Sequence, residues 1–273
     1  MRTSVSINRV GSSGAGSPAE TSDCLALETR DLHKAFGDHS VLQGVDLQVP
    51  EGTLSVILGP SGTGKSVMIK HIIGLLEPDQ GEVLVHDRPL AAMSSSEILG
   101  LRRDIGVMFQ DGALFSSMNI YDNVAFPLRQ HTDLREPDVH EMVMEHLGAV
   151  GLAGARDRFP NELSGGMKKR AGLARALVLD PGILLCDEPD SGLDPVRTAL
   201  LGELLKERHD ELGGTVVVVT HNIALAKLVA DHVSLLWKGR VVSSGPADEA
   251  FDSDDPFTRQ FLAGASAGPL GMD

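Results

Sequence analysis

Residues 59–66 read Gly59-Pro60-Ser61-Gly62-Thr63-Gly64-Lys65-Ser66. An aliphatic run, Leu54 to Leu58, precedes this stretch, and apolar residues at helical spacing follow it. The pattern predicts a buried strand, a glycine-rich loop and a helix. Glycines let consecutive backbone N–H groups point into such a loop, and the helix N-terminus adds positive charge at the same place. The stretch therefore predicts a phosphate-binding loop that extends from Gly59 to Ser66.

Two side chains of this loop carry the expected chemistry. The Lys65 ammonium can reach the β- and γ-phosphates of a nucleotide, and the Ser66 hydroxyl can take a position on Mg²⁺. A match to the pattern arises by chance in roughly one chain in a hundred of this length. The strand and the helix predicted on either side make a chance match rarer still.

The composition narrows the class of protein. At 273 residues, with 42% hydrophobic and 23% charged residues, the chain is ordinary for a globular protein. Its formal charge of −14 argues against a nucleic-acid partner, and the cluster Lys168-Lys169-Arg170 is too short to reverse this. No apolar run approaches the roughly 18 residues of a membrane span, so we expect no crossing. Cys24 and Cys186 lie in unlike contexts, which predicts no disulfide and a reducing compartment.

The segments before the loop differ in composition. Residues 1–24 are rich in Ser, Gly, Thr and Ala, which predicts a disordered tail. Two short alternating segments, Leu25 to Thr29 and Val41 to Val49, predict antiparallel strands with a turn at Gly37-Asp38 between them. Phe36 lies at the edge of this hairpin, where its ring could stack on a purine. The alternative is that Phe36 only covers the hairpin.

Polar residues follow two further strand-like runs. Asp187 and Glu188 come directly after the aliphatic run Ile183 to Cys186, and His221 follows the β-branched run Thr215 to Val219. In a parallel sheet, ligands gather at the carboxyl ends of the strands. There one carboxylate can hold Mg²⁺ and the next can polarise a water for attack on a γ-phosphate. The alternative is that all three are ordinary polar residues at strand ends.

Gln110 ends another predicted strand and could reach a bound metal ion. The loop behind it, from Asp111 to Phe126, contains several apolar residues that we expect to be exposed: Ala113, Leu114, Phe115, Met118, Ile120 and Tyr121. Such a loop offers a hydrophobic surface to a partner. The alternative is that these side chains pack inside the protein's own helices.

A second glycine-containing helix start follows later in the chain. Ser164 is a natural N-cap, and Gly165 and Gly166 occupy the first turn of the predicted helix. Unsatisfied N–H groups at such a start can bind an anion. Alone, this pattern is more typical of a plain helix cap.

Together these residues resemble the ATP-binding-cassette family of transporter ATPases, from Leu25 to about Gly245. The similar motifs occur in the family's order: GPSGTGKS as Walker A, Gln110 as the Q-loop, LSGGM as the signature, ILLCDE as Walker B, SGLD with Asp194 as the D-loop, and His221 as the switch histidine. Six motifs in the right order are very specific. In two places the sequence departs from the common pattern, with Met167 instead of glutamine and Asp190 instead of threonine.

The resemblance implies an α/β fold with a RecA-like P-loop core (25–110 and 179–245), an antiparallel β subdomain and an inserted α-helical subdomain (111–178). Residues 246–273 then form a C-terminal extension. The resemblance also implies ATP and Mg²⁺ as cofactors, with Gln110, Glu188 and His221 acting in hydrolysis and Asp194 near the nucleotide. Two copies would pair head to tail, because Lys65 already occupies one side of the phosphate that Ser164 must face.

A narrower resemblance joins this chain to the ATPases of Mla- and Mce-type lipid transporters. It rests on the run Gly166 to Ala171, on QDGALFSSMNIYDNVAFPL and on the ending GPLGMD. It implies a subunit on the cytoplasmic side of the inner membrane, bound to a permease with an MCE-type lipid-binding component. The alternative is a cassette ATPase not coupled to transport. The absence of a heptad run does not favour the DNA-repair type, and the single cassette does not favour the translation type. Glu188 argues against a module that senses nucleotide without hydrolysing it.

Overall fold

The computed structural model describes residues 24–265 and 268–269. Most of the predicted tail (1–24) lies outside this range, as does most of the GPLGMD ending. Among the described residues, no helix combines the length and the apolar content that a membrane crossing requires.

The described chain opens with three strands, after which helices and strands follow in mixed order. The first half contains β1 (Leu25–Phe36), β2 (His39–Pro50), β3 (Leu54–Leu58), α1 (Lys65–Ile72), β4 (Gln80–Val85), β5 (Arg88–Pro89), α2 (Ser95–Asp104), β6 (Ile105–Met108), α3 (Ile120–His131) and α4 (Glu136–Ala149). The second half contains α5 (Gly165–Leu177), β7 (Ile183–Asp187), α6 (Pro195–Leu212), β8 (Thr215–Thr220), α7 (Ile223–Val229), β9 (His232–Trp237), β10 (Arg240–Pro246), α8 (Ala247–Phe251) and α9 (Pro256–Ala263).

The central sheet has the strand order β10-β9-β3-β8-β7-β6. Its strands are parallel except for β10, which pairs antiparallel with β9. Every residue of β3, β7 and β8 is buried, as expected for aliphatic strands that are covered on both faces. Because β3, β7 and β8 are parallel neighbours, their carboxyl ends lie at one edge of the sheet.

A second, antiparallel sheet has the order β2-β1-β4-β5. Phe36 pairs with His39 across the turn, and Gly37 supplies the positive φ of 59° that the turn needs. This confirms the hairpin predicted from the sequence. Apolar residues of this sheet share one hydrophobic cluster with Met68 and Ile69 of α1 and with one face of the central sheet. The phosphate-loop helix is therefore fixed by both sheets.

Helices α3, α4 and α5 build a separate hydrophobic cluster. Only α5 also packs under the central sheet: Ala171 and Ala174 face the helical cluster, whereas Leu173 and Leu177 join the cluster that α6 and α7 form with the sheet. The architecture confirms the predicted fold class, an α/β core with an antiparallel sheet and inserted helices.

The loop before α3 is more closely packed than the sequence predicted. Phe115 is exposed, but the prediction that Ile120 is exposed is wrong, because Ile120 opens α3 and points into the helical cluster. Leu114 and Tyr121 are half-buried against the same cluster. The cause is the buried Asn123, whose amide donates hydrogen bonds to backbone carbonyls of the loop and whose Oδ1 accepts the Phe115 N–H.

We expect Asn123→Ala to lower the free energy of unfolding by about 3 kcal/mol, because it leaves one N–H group and three carbonyls of the partly buried loop without the side chain that binds them. Urea denaturation followed by circular dichroism measures this change. Gln130→Ala, at an exposed position of the same helix, is the control and should change stability by less than about 0.5 kcal/mol. Equal stability of both variants would mean that Asn123 does not hold the loop.

Candidate functional site

The loop between β3 and α1 is tightly curled, and two of its glycines leave little space for a side chain. A Cβ at Gly59 would lie 2.4 Å from the Leu236 carbonyl oxygen, and one at Gly64 would lie 2.7 Å from Leu42 Cδ2. Gly64 also has a φ of 98°, a conformation that residues with a Cβ rarely adopt. The Thr63 hydroxyl donates a hydrogen bond of 2.9 Å to the Pro60 carbonyl, which stabilises the curled loop.

Lys65 folds back over this loop. Its ammonium donates hydrogen bonds of 2.7 Å to the carbonyls of Gly59 and Pro60, and it lies 3.5 Å from Glu188 Oε1. Burial lowers the pKa of Lys65, while the carboxylates of Glu188 and Asp187 oppose that shift. The loop thus holds a cation at its centre, where a bound phosphate needs one.

The end of β7 brings two carboxylates to the same place. The Ser66 hydroxyl donates a hydrogen bond of 3.0 Å to Asp187 Oδ1. Burial raises the pKa of Asp187, and the hydrogen bond from Ser66 opposes this. A hydroxyl and a carboxylate in contact are hard oxygen ligands of the kind that Mg²⁺ prefers, so Ser66 and Asp187 fit the predicted metal.

Glu188 has an unusual backbone conformation, and its side chain lies between those of Lys65 and His221. Its φ is 44°, and its N–H donates a hydrogen bond to the Val219 carbonyl. Its Oε1 lies 3.5 Å from Lys65 Nζ and 3.6 Å from Nδ1 of His221, which directly follows β8. Such left-handed residues cost of order 1–3 kcal/mol and cluster at functional sites. The structure therefore brings Glu188, Lys65 and His221 together, as the sequence predicted.

Gln110 follows β6 and reaches the next loop. Its Nε2 donates a hydrogen bond of 3.3 Å to Ser191 Oγ, three residues after Glu188. In this structure Gln110 therefore contacts the turn behind the carboxylates rather than Ser66 or Asp187, and its role as a metal ligand stays a prediction.

The signature residues lie at the start of α5. Ser164 caps this helix, since its Oγ accepts the Met167 N–H at 3.3 Å. Both Ser164 and Gly165 are exposed, and Gly166 is half-buried. No hydrogen bond between described residues joins them to the phosphate loop. The helix start is therefore open to another molecule, while the structural capping role is also present.

Asp194 and Phe36 contact side chains of their own segments. Asp194 caps α6 by accepting the Arg197 N–H at 3.0 Å, and it forms an ion pair with the Arg197 guanidinium. The Phe36 side chain is 49% exposed, and the Lys34 ammonium lies 5.8 Å from its ring centroid. About half of the Phe36 side chain is thus accessible, and its stacking on a purine stays a prediction.

Sequence reasoning missed the position of one charged residue. Lys169 was counted in a local basic cluster, but it is buried, and its ammonium donates a hydrogen bond of 3.1 Å to the Glu188 carbonyl. Helical spacing would have revealed this, because Lys169 shares a face of α5 with the buried Leu173 four residues later.

Comparisons with known proteins agree on one family. A family model described as ABC transporter matches residues 42–191. The chain is 51% identical over 248 residues to the probable ribonucleotide transport ATP-binding protein mkl of Mycobacterium leprae, covering 91% of this chain and 72% of that protein. It is 41% identical over 251 residues to the intermembrane phospholipid transport system ATP-binding protein MlaF of Escherichia coli K12, covering 92% and 93%.

A solved structure extends the comparison to assembly. A dimeric ATP-binding cassette in a post-hydrolysis state, bound to ADP and Pi, aligns with a TM-score of 0.75 and 32% identity over 81% of this chain and 98% of that chain. The range matched by the family model includes the phosphate loop, Asp187 and Glu188, whereas Asp194 and His221 lie beyond it.

Proposed function

Because this chain belongs to the ABC transporter family of ATP-hydrolysing subunits, we propose that it uses ATP hydrolysis to drive lipid transport through a separate membrane permease. The observation that carries the proposal is the convergence of Lys65, Glu188 and His221 at one sheet edge. We assign the cassette to residues 25–245, with the helical part at 111–178 and an extension at 246–273.

Each residue at the sheet edge has a distinct role in this proposal. Gly59 to Ser66 bind the phosphates through backbone N–H groups, and Lys65 balances their charge. Ser66, Asp187 and Gln110 are the side chains that would hold Mg²⁺, which would neutralise charge that develops on the phosphates. The Glu188 carboxylate orients the attacking water or accepts a proton from it. His221 lies beside the same carboxylate. Phe36 stacks on the adenine ring.

We expect Glu188→Gln to bind ATP as the parent does but to hydrolyse it about 10² to 10⁴ times more slowly, because the positioned base is lost. Phosphate release measures hydrolysis, and a fluorescent ATP analogue measures binding. The ATP-bound dimer should persist, which light scattering detects. Hydrolysis at the parental rate would exclude Glu188 as the residue that positions the water.

The second copy of the chain completes each site in this proposal. Ser164, Gly165 and Gly166 are solvent-accessible at the start of α5, and Lys65 belongs to a different element of the same protomer. Since each chain has one copy of each motif, a head-to-tail homodimer places the signature of one protomer, with Asp194 beside it, on the nucleotide of the other. The dimeric relative bound to ADP and Pi supports this arrangement.

Mixing two inactive variants tests the shared sites. Lys65→Ala should lose nucleotide binding in its own protomer, while Ser164→Arg should block closure on the opposite protomer. The mixed dimer has one intact site, formed by Lys65 of the Ser164→Arg chain and Ser164 of the Lys65→Ala chain. Photo-crosslinked ATP should therefore label the Ser164→Arg chain. Equal labelling of both chains would contradict the head-to-tail arrangement.

We place the permease contact on the loop from Asp111 to Phe126. A groove of about 360 Å³ lies between this loop, α3 and Phe159. Two exposed aromatic residues belong to this region, Phe115 (42% exposed) and Phe159 (43% exposed). Phe115 is held against the Phe126 ring, with centroids 4.9 Å apart, and under the Arg175 guanidinium. A partner here lies only a few residues from Gln110, so it would respond to changes at the γ-phosphate.

The cargo assignment rests on the relatives. Identity to MlaF extends over 93% of that phospholipid transport protein, and this supports a lipid. The mycobacterial relatives, of higher identity, are named for ribonucleotide transport, which is the second candidate. In our proposal the protein is peripheral to the cytoplasmic side of the inner membrane, and the permease works with an MCE-type lipid-binding component. Nucleic acid is not a partner.

We expect Phe115→Ser/Phe159→Ser to detach the protein from membranes that contain the permease, while the isolated protein keeps its ATPase activity. In proteoliposomes the variant should lose ATP-driven transfer of labelled phospholipid. Leu99→Ser, which removes an exposed leucine of α2, is the control for lost apolar surface. If the double variant still binds these membranes and drives lipid transfer, the proposed docking site is wrong. If the parent protein transfers labelled ribonucleotide but not lipid, the proposed cargo is wrong.

A further inference from the structure

A buried lysine in α5 lies beside the site but outside the nucleotide-binding motifs. Lys169 is only 6% exposed. Burial lowers the pKa of its ammonium, while nearby carboxylates, of which Asp190 contributes most, oppose the shift. A buried charge is costly unless it is paired and hydrogen-bonded. The contacts of Lys169 therefore indicate what this buried charge does.

The ammonium of Lys169 is bonded to the main chain of Glu188. It donates a hydrogen bond of 3.1 Å to the Glu188 carbonyl, which also accepts the Ser191 N–H at 3.2 Å. On the other side, the Glu188 N–H is bonded to the Val219 carbonyl at 2.8 Å. The peptide groups on both sides of this left-handed residue are thus fixed, one by β8 and one by α5.

The turn after Glu188 has a second anchor. Asp190 is 4% exposed, and its Oδ1 accepts a hydrogen bond of 2.8 Å from the hydroxyl of Thr220, the last residue of β8. Thr220 directly precedes His221, whose ring lies beside the Glu188 carboxylate. Asp190 therefore connects the turn to the end of β8, next to His221, and Lys169 connects it to α5.

We propose that Lys169 is a positioning residue, which holds the Glu188 main chain so that its carboxylate stays between Lys65 and His221. The inference rests on the proposed role of Glu188 in hydrolysis. Lys169 touches no reacting atom; it acts through the Glu188 carbonyl. Since Ser164 begins the same helix, the contact also links the signature to the hydrolytic carboxylate of its own protomer.

Removal of the ammonium tests the inference. We expect Lys169→Met to lower kcat by about 10- to 100-fold, as a displaced catalytic group does, without a change in KM for ATP. Lys169→Arg, which keeps a long cationic donor, should restore most of the turnover. Lys168→Met, at the half-buried preceding position, is the matched control and should have parental turnover. Parental turnover of Lys169→Met would overturn the inference.

A double-mutant cycle separates positioning from a general structural role. In a Glu188→Gln background, Lys169→Met should cause no further loss, because its effect passes through the Glu188 carboxylate. A further loss of similar size would show that Lys169 acts elsewhere and would overturn the inference. The proposed function fails separately, if Glu188→Gln itself hydrolyses ATP at the parental rate.

A second variant covers the case in which Lys169→Met does not fold. Lys169→Met/Asp190→Asn removes both buried charges, so neither is left unpaired. This variant still lacks the bond to the Glu188 carbonyl, and we expect the same loss of kcat with normal binding of a fluorescent ATP analogue. Recovery of parental turnover would mean that Lys169 only balances the charge of Asp190, and the positioning role would be wrong.

Discussion

The site depends on the register of three parallel strands. Leu58 at the end of β3 pairs with Thr220 at the end of β8, and Asp187 at the end of β7 pairs with Val219. The phosphate loop, the two carboxylates and His221 therefore leave the sheet at the same level. A shift of one strand by a single residue would turn its side chains to the other face and separate Lys65 from Glu188.

That register is maintained by packing on both faces of the sheet. Alternate residues of β3, β7 and β8 belong to two hydrophobic clusters, one with α1 and the antiparallel sheet and one with α5, α6 and α7. This burial offsets the unfavourable features at the edge: the buried Lys65 ammonium, the desolvated Asp187 carboxylate and the left-handed Glu188. The site concentrates charge and backbone strain on a rigid apolar support.

The sequence predicted features that depend on local pattern and failed where packing decides. The phosphate loop, the hairpin at Gly37-Asp38 and the residues after β7 and β8 follow from glycine placement and aliphatic runs. By contrast, Ile120 was assigned to an exposed loop, although it begins α3 and packs in the helical cluster. The bonds of Asn123 to the loop backbone leave no sequence pattern. Lys169 was counted in a basic cluster because of its charge, although it lies on the buried face of α5.

The double membership of α5 has a consequence for how such cassettes diversify. Ala171 and Ala174 complete the helical cluster, while Leu173 and Leu177 complete the cluster under the sheet. The inserted helices are therefore not an independent unit that can be exchanged without affecting the core. A chimera that exchanges them between two relatives either takes α5 whole from one parent, so that one of its faces meets residues of the other parent, or cuts α5 and divides both faces between the parents. Recombination should be tolerated at the ends of α3 and α4 and selected against within α5.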